Sequence, residues 1–351
     1  MIPTMNEYYK IGASLTAEHP SYVERKADND LYKFAFLDDV HLGCVFAPRQ
    51  MGKTSLTRRI SNRLEKEKFI CATIEISKSS DIKQEQNLSR FYKHLLKKIC
   101  GELYTTQNEF LEGTDSLIFL QDKVDKFWQE NFLFDNFIKF LEYFISQDFP
   151  LAKRAVFFID EIQKLFRYRE LSENIFSDFS SWGDSASKKN NRGKIKFVLL
   201  GTVNPYYFFR EEAWNKAKNF ALGNLEDDVS ALCDGLKVVY EEDAEFILEQ
   251  ILLWTKGTPF LTQYICNAVF EGAIKGVSKK NISEKLDRFI QKEFVENWRS
   301  KSEEHQFHFD EIQRWFDGCG CYTDKHERIR ALKLYDKIIK SNQAEAYIQK
   351  K

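Results

Sequence analysis

Residues 41–56 read His41-Leu42-Gly43-Cys44-Val45-Phe46-Ala47-Pro48-Arg49-Gln50-Met51-Gly52-Lys53-Thr54-Ser55-Leu56. The opening half is almost entirely apolar or small, the composition of a strand buried on both faces. Beyond it, Leu56, Ile60 and Leu64 recur on one face of a helix. Between strand and helix stands the Gly-Lys-Thr of a phosphate loop, with Ala47 where a first glycine is usual. The chemistry needs these residue types. Gly52 lets the backbone approach a phosphate without a Cβ, and the successive N–H groups of Arg49, Gln50, Met51, Gly52, Lys53, Thr54 and Ser55 form an anion nest at a helix N-terminus. Lys53 reaches β- and γ-phosphates as a mobile charge, while the Thr54 hydroxyl takes one position on Mg²⁺. Without a ligand, the same segment reads as a plain strand-to-helix turn.

Three more short apolar runs have the same buried-strand character: Phe69 to Ile76, Ala155 to Ile159 and Ile195 to Leu200. The third run ends in Asp160-Glu161, two carboxylates at a strand tip. Asp160 would hold Mg²⁺ and Glu161 would orient or deprotonate an attacking water. The fourth run leads into Gly201-Thr202-Val203-Asn204-Pro205, where Thr202 or Asn204 could sense a γ-phosphate or its water; each fits a turn before Pro205 equally well. Catalysis is thus expected from Glu161, Lys53 and Asn204, and metal binding from Thr54 and Asp160.

Helical periodicity fills the space between these runs. Leu88, Phe91, Leu95, Leu96 and Ile99 form one stripe, and Phe134, Phe137, Ile138, Leu141 and Phe144 another. The polar stretch from Trp182 to Lys194 reads as a solvated loop. After about residue 225 the strand rhythm stops, and helices are expected over 241–254, 259–270, 283–298 and 328–339. The resulting division is 1–225 for an α/β core, 226–282 for a helical lid and 283–351 for a C-terminal helical, partly winged-helix-like region.

Composition narrows the function classes. The chain has 351 residues, 43% hydrophobic and 30% charged, enough to bury a core, and its net charge of −1 provides no global field for nucleic acid or an anionic membrane. The first twenty residues have no leader pattern and no run reaches membrane-spanning length, so a cytoplasmic protein is expected. Seven cysteines, several inside apolar runs, read as free thiols in a reducing compartment. His305, His308, Cys319, Cys321 and His326 cluster near the end, but their spacing matches no common zinc pattern. Arg192 and Arg210 are placed where an arginine finger could project, and Lys188-Lys189 and Lys279-Lys280 read as solvated loops.

Five strings together resemble the AAA-like domain family of bacterial signalling ATPases, within the STAND class of P-loop NTPases. They are Pro20-Ser21-Tyr22-Val23-Glu24-Arg25-Lys26-Ala27-Asp28, Arg49-Gln50-Met51-Gly52-Lys53, Phe158-Ile159-Asp160-Glu161-Ile162, Leu200-Gly201-Thr202 and Trp254-Thr255-Lys256-Gly257-Thr258-Pro259-Phe260-Leu261-Thr262-Gln263. The resemblance implies an additional-strand P-loop NTPase sheet with helices on both faces. It implies that Tyr22, Val23 and Arg25 lie against adenine and ribose, and that Gly257 and Pro259 bring the lid onto the nucleotide. It further implies ATP or ADP with Mg²⁺ as cofactors, slow hydrolysis, and self-association or a signalling partner protein. Relatives usually continue into a fused sensor or effector, whereas this chain stops at Lys351, which leaves the output module open. Two alternatives stand beside the switch reading: a DNA-associated AAA-type ATPase, which the weakly basic C-terminal region argues against, and a non-catalytic nucleotide-binding scaffold.

Overall fold

A computed structural model describes residues 8–76, 87–107, 124, 128, 133–186, 194–202, 217–226 and 228–296. The four apolar runs form β1 (Leu42–Phe46), β2 (Phe69–Glu75), β3 (Arg154–Asp160) and β4 (Ile195–Gly201). With β5 (Lys218–Asn219) they make a parallel sheet in the order β2-β3-β4-β1-β5. β4 therefore lies between the strand that feeds the phosphate loop and the strand that ends in Asp160, which is the additional-strand arrangement. The register pairs Phe46 with Gly201, and Ile159 with Leu199. Three chain ends that could carry chemistry thus emerge side by side at one edge of the sheet.

Side chains alternate between two cores, as the strand period requires. Ala155, Phe157 and Ile159 of β3 join Phe197 and Leu199 of β4 in one cluster, under α3 (Leu88–Gln107), α4 (Leu133–Asp148) and α5 (Arg169–Ala186). Val156, Phe158, Val198 and Leu200 face the other way, against α1 (Lys26–Phe36) and α2 (Lys53–Lys66), whose Leu56, Ile60 and Leu64 are fully buried. Both expected helical stripes, 88–99 and 134–144, lie within α3 and α4.

Beyond β5 the chain is helical: α6 (Ser230–Tyr240), α7 (Ala244–Thr255), α8 (Pro259–Phe270) and α9 (Ile282–Ile290), which continues as a π-turn over Gln291–Glu296. Contacts divide the chain into two compact units, 1–285 and 286–351. The expected helix over 328–339, the winged-helix-like region beyond residue 296, the His and Cys cluster, Lys188-Lys189, Arg192, Asn204 and Arg210 lie outside the described residues.

Two readings need correction. The stretch from Trp182 does not begin a loop, because α5 runs on to Ala186. Trp182 is buried there, edge-on to Phe197 with ring centroids 5.1 Å apart, and this packing holds a polar, glycine-containing turn in the helix. Helix α7 begins at Ala244, since Glu241–Asp243 forms a separate tight turn after α6.

Candidate functional site

The phosphate loop is assembled by backbone conformation first. Gly52 sits at φ 82 as the residue before α2, and Gln50 at φ 63 is a left-handed non-glycine residue, a conformation that costs about 1 kcal/mol. Ala47 N–H donates to Gly201 O at 3.1 Å, which fixes the loop entrance to the end of β4. Lys53 is buried, and its Nζ donates to Ala47 O at 2.8 Å and Pro48 O at 3.0 Å. Burial lowers its pKa; Asp160 and Glu161 oppose that shift, and Arg49 adds to it.

Arg25 closes the loop from behind. Its Nη1 donates to Met51 O at 2.7 Å and to Gly223 O at 3.3 Å, and its Nη2 lies 3.2 Å from where a Cβ on Gly52 would stand. The direction of this side chain is set at the start of α1. There Asp28 accepts the Arg25 N–H at 2.9 Å through Oδ2 and the Tyr22 hydroxyl at 2.6 Å through Oδ1. Tyr22 and Val23 are buried, and the Arg59 guanidinium covers the Tyr22 ring at 4.6 Å. Ser55 is engaged by its own chain, since its hydroxyl accepts the Leu15 N–H at 2.9 Å, whereas Thr54 is exposed.

At the end of β3, Asp160 is 8% exposed and forms no salt bridge among the described residues. Burial raises its pKa, Glu161 adds to this, and the Glu161 N–H, donated to Oδ1 at 2.7 Å, opposes it. The Lys53 charge opposes it too, and a largely desolvated carboxylate that forms no salt bridge among the described residues suits a hard cation. No cluster of three His, Cys, Asp or Glu among the described residues could hold a metal by itself. Glu161 follows at φ 61, with Oε2 accepting from Gln163 Nε2 at 3.0 Å and 3.5 Å from Lys164 Nζ. The Thr202 N–H donates to Gln163 Oε1 at 3.1 Å.

The helical segment reaches this site through two buried joints. Gly257, at φ 69, accepts the Leu225 N–H at 2.7 Å, and a Cβ there would lie 2.3 Å from Leu225 O. Its own N–H donates to Thr255 Oγ1 at 3.2 Å. Thr262 donates its only hydroxyl proton to Thr258 O at 2.9 Å, so Thr255 is the donor in the 2.8 Å bond between the two threonines. Pro259 occupies the first turn of α8, where its missing N–H is harmless. The second joint is Gln263, whose Nε2 donates to Ser21 O at 2.9 Å. Ser21 is fully buried, and its hydroxyl donates to Gln263 Oε1 at 3.2 Å.

The segment before α1 therefore straps the two parts together. Tyr8 and Tyr9 donate to Ala231 O at 2.9 Å and Leu232 O at 2.5 Å on α6. Ala17 O accepts from Arg59 Nη1 at 2.8 Å on α2. Sequence reading did not single out Gln163, Lys164, Ser21 or the strap. The first and last strings of the resemblance contained Ser21 and Gln263 without showing that they meet.

A parallel sheet in this order, with a phosphate loop after β1 and a carboxylate pair after β3, defines a P-loop ATPase domain. The sequence profile of the AAA-like domain family matches residues 11–279, and the chain belongs to that family. It is 28% identical over 338 residues to an uncharacterised WD repeat-containing protein of Synechocystis sp., covering 94% of this chain and 26% of that one, so the chain spans about a quarter of that relative's length. Among solved structures it is similar to the Walker-type ATPase of Pyrococcus abyssi, with 15% identity, a TM-score of 0.49, and 86% and 80% of the two chains covered. The ADPNP-ADP form of the Aeropyrum pernix ORC2 protein is 14% identical with a TM-score of 0.43, and 89% and 75% are covered. No helix among the described residues is long and apolar enough to cross a membrane.

Proposed function

We propose that this chain is the ATP-dependent switch of a signalling-type ATPase. ATP binds at the loop 47–55, is hydrolysed slowly with Glu161 as the water-activating base, and sets the position of the helical lid 226–282 relative to the core 1–225. The region 283–351 and the rest of any longer protein would carry the output. The observation that supports this most directly is the double attachment of the lid. Gly257 grips Leu225, just beyond the Gly223 carbonyl that Arg25 binds, and Gln263 grips Ser21, at the end of a strap that also binds the phosphate-loop helix.

Each residue has a derivable part. Lys53 is held on Ala47 O and Pro48 O, and a polyphosphate entering the loop offers it stronger, charged acceptors. Arg25 keeps the Met51 carbonyl turned inward, leaving the loop N–H groups to face the anion. Thr54 and Asp160 would hold Mg²⁺, which neutralises developing charge on the phosphates. Glu161 orients a water, and Thr202 or Asn204 senses the terminal phosphate. Tyr22 and Val23 line the base side through the backbone they support. Self-association in the ATP state, or capture of a signalling protein, is the expected output.

The deciding experiment is equilibrium binding of ATP and ADP, with Mg²⁺, to the wild type and Lys53→Ala. The variant should lose at least about tenfold in ATP affinity, the 1.4 kcal/mol scale of a lost charge-assisted contact. Equal binding by both proteins, or none by either, overturns the assignment. Static light scattering with and without ATP then tests assembly, for which an unchanged mass counts against self-association.

A further inference from the structure

The side chain two positions after Glu161 belongs to none of the motifs that mark the site. Gln163 lies in the tight helical turn Ile162–Arg167 and uses both ends of its amide: Nε2 donates to Glu161 Oε2 at 3.0 Å, and Oε1 accepts the Thr202 N–H at 3.1 Å. A carboxylate can only accept and a backbone N–H can only donate, so a single amide orientation serves both contacts. The side chain is an adaptor of fixed polarity between the tips of β3 and β4. Gly201 makes room for it, since a Cβ there would come within 3.0 Å of Gln163 Oε1 and of Ile162 Cγ2.

Glu161 is constrained on one oxygen. Oε2 carries the Gln163 bond and faces Lys164 Nζ at 3.5 Å, and Lys164 is itself anchored by Glu75 Oε1 at 2.7 Å and Ile76 O at 3.1 Å. Oε1 has no hydrogen-bond partner among the described residues. A general base works best with one atom fixed by a neighbour and the other free to take a proton, the logic by which a third group orients a catalytic base.

We propose that Gln163 is a positioning residue that orients the Glu161 carboxylate from the tip of β4, so that Thr202 and Glu161 move as one unit. The inference rests on the hydrolysis reading given above. Gln163 reaches the reaction only through Glu161. A change at the end of β4 would pass to the base along two hydrogen bonds, without rearrangement of the sheet.

The test is steady-state ATP turnover by wild type, Glu161→Gln, Gln163→Met, Gln163→Glu and the double variant Glu161→Gln/Gln163→Met, with ATP affinity measured separately. Methionine keeps the length and removes both polar ends. It should lower kcat by about tenfold, less than the roughly 10²–10⁴-fold of a general base itself because the base remains and only its orientation is lost, and leave KM and ATP affinity within about twofold. In the Glu161→Gln background it should have no further effect, because the group it positions has already gone. Gln163→Glu sets a second carboxylate against the first, and one shared proton restores a donor. Its kcat relative to wild type should therefore recover as pH falls from about 8 to about 6. Wild-type turnover in Gln163→Met alongside a dead Glu161→Gln overturns the positioning role alone. So does a kcat loss in Gln163→Met that recurs in full on top of Glu161→Gln. Equal turnover by wild type and Glu161→Gln overturns the hydrolysis reading and this inference with it. If Gln163→Met fails to fold, the pH profile of Gln163→Glu decides between the same outcomes, a flat ratio to wild type being the negative one.

Discussion

Asp160 is a carboxylate that the free protein holds at a disadvantage. Its pKa is raised by burial, so the ionised form is less stable in the folded chain than in the unfolded one. The sign follows from linkage. A raised carboxylate contributes stability below its unfolded pKa of 3.8, and that contribution is lost as pH rises through the higher folded value. Asp160→Asn keeps an oxygen to accept the Glu161 N–H and removes the charge. It should melt higher than wild type at neutral pH without nucleotide, by about 2–4 °C for each kcal/mol relieved, and the gap should close toward acid pH. The same variant should lose the Mg²⁺ dependence of ATP binding. A lower melting temperature for the variant would mean that the carboxylate is compensated in the free protein. This residue was legible in the sequence because two acids at the end of a run such as Ala155-Val156-Phe157-Phe158-Ile159 have little structural use. Gln163 was not, because its meaning depends on a backbone N–H thirty-nine positions away.

At the level of elements, strands buried on both faces announce themselves as unbroken apolar runs, and β1 to β4 were readable for that reason. β5 was not, since Lys218–Asn219 is an exposed pair recognisable only by its pairing with Gly43 and Cys44. Helix α6 was obscured by Gly235, which reads as a breaker but makes room for Tyr8 and Tyr9: a Cβ there would meet both at 2.4 Å. The turn between α7 and α8 carries a sharper requirement. Gly257→Ala places a methyl against Leu225 O at a positive φ, and should destabilise the protein by on the order of 2 kcal/mol in urea unfolding. Gln263→Leu should act on the other joint, leaving the buried Ser21 carbonyl without its side-chain donor at about 1–3 kcal/mol, while the Ser21 hydroxyl keeps His19 Nδ1 at 3.0 Å. Hydrogen exchange distinguishes these local effects from global loosening. Protection should fall in α7 and α8 and hold in β1, β3 and β4; a uniform fall would refute the picture of a lid joined at two points.

Across the whole molecule, the edge of the sheet opposite the phosphate loop has its own electrostatic burden. Lys196 is fully buried on β4, with Nζ donating to Val40 O and lying 4.7 Å from the centre of the Phe34 ring. Burial, reinforced by Arg154 and Lys218 and opposed by Asp38 and Asp39, lowers its pKa from 10.5 to about 7. The unfolded chain binds this proton more tightly, so stability should rise between about pH 7 and pH 10.5, and Lys196→Met should flatten that slope in pH-dependent melting. An unchanged slope would assign it to other groups. The N-terminal strap has a consequence in time as well as in space. Tyr8 and Tyr9 find their acceptors 223 positions later, and Ser21 meets Gln263 after 242. At a ribosome these residues emerge ahead of the helices that bury them and wait for those on the order of ten to fifty seconds. Until then two tyrosines stay in water and the Ser21 carbonyl waits for Gln263, so the strap can fasten to α2 at Arg59 early, whereas its attachment to the helical segment is completed only when α8 has been made.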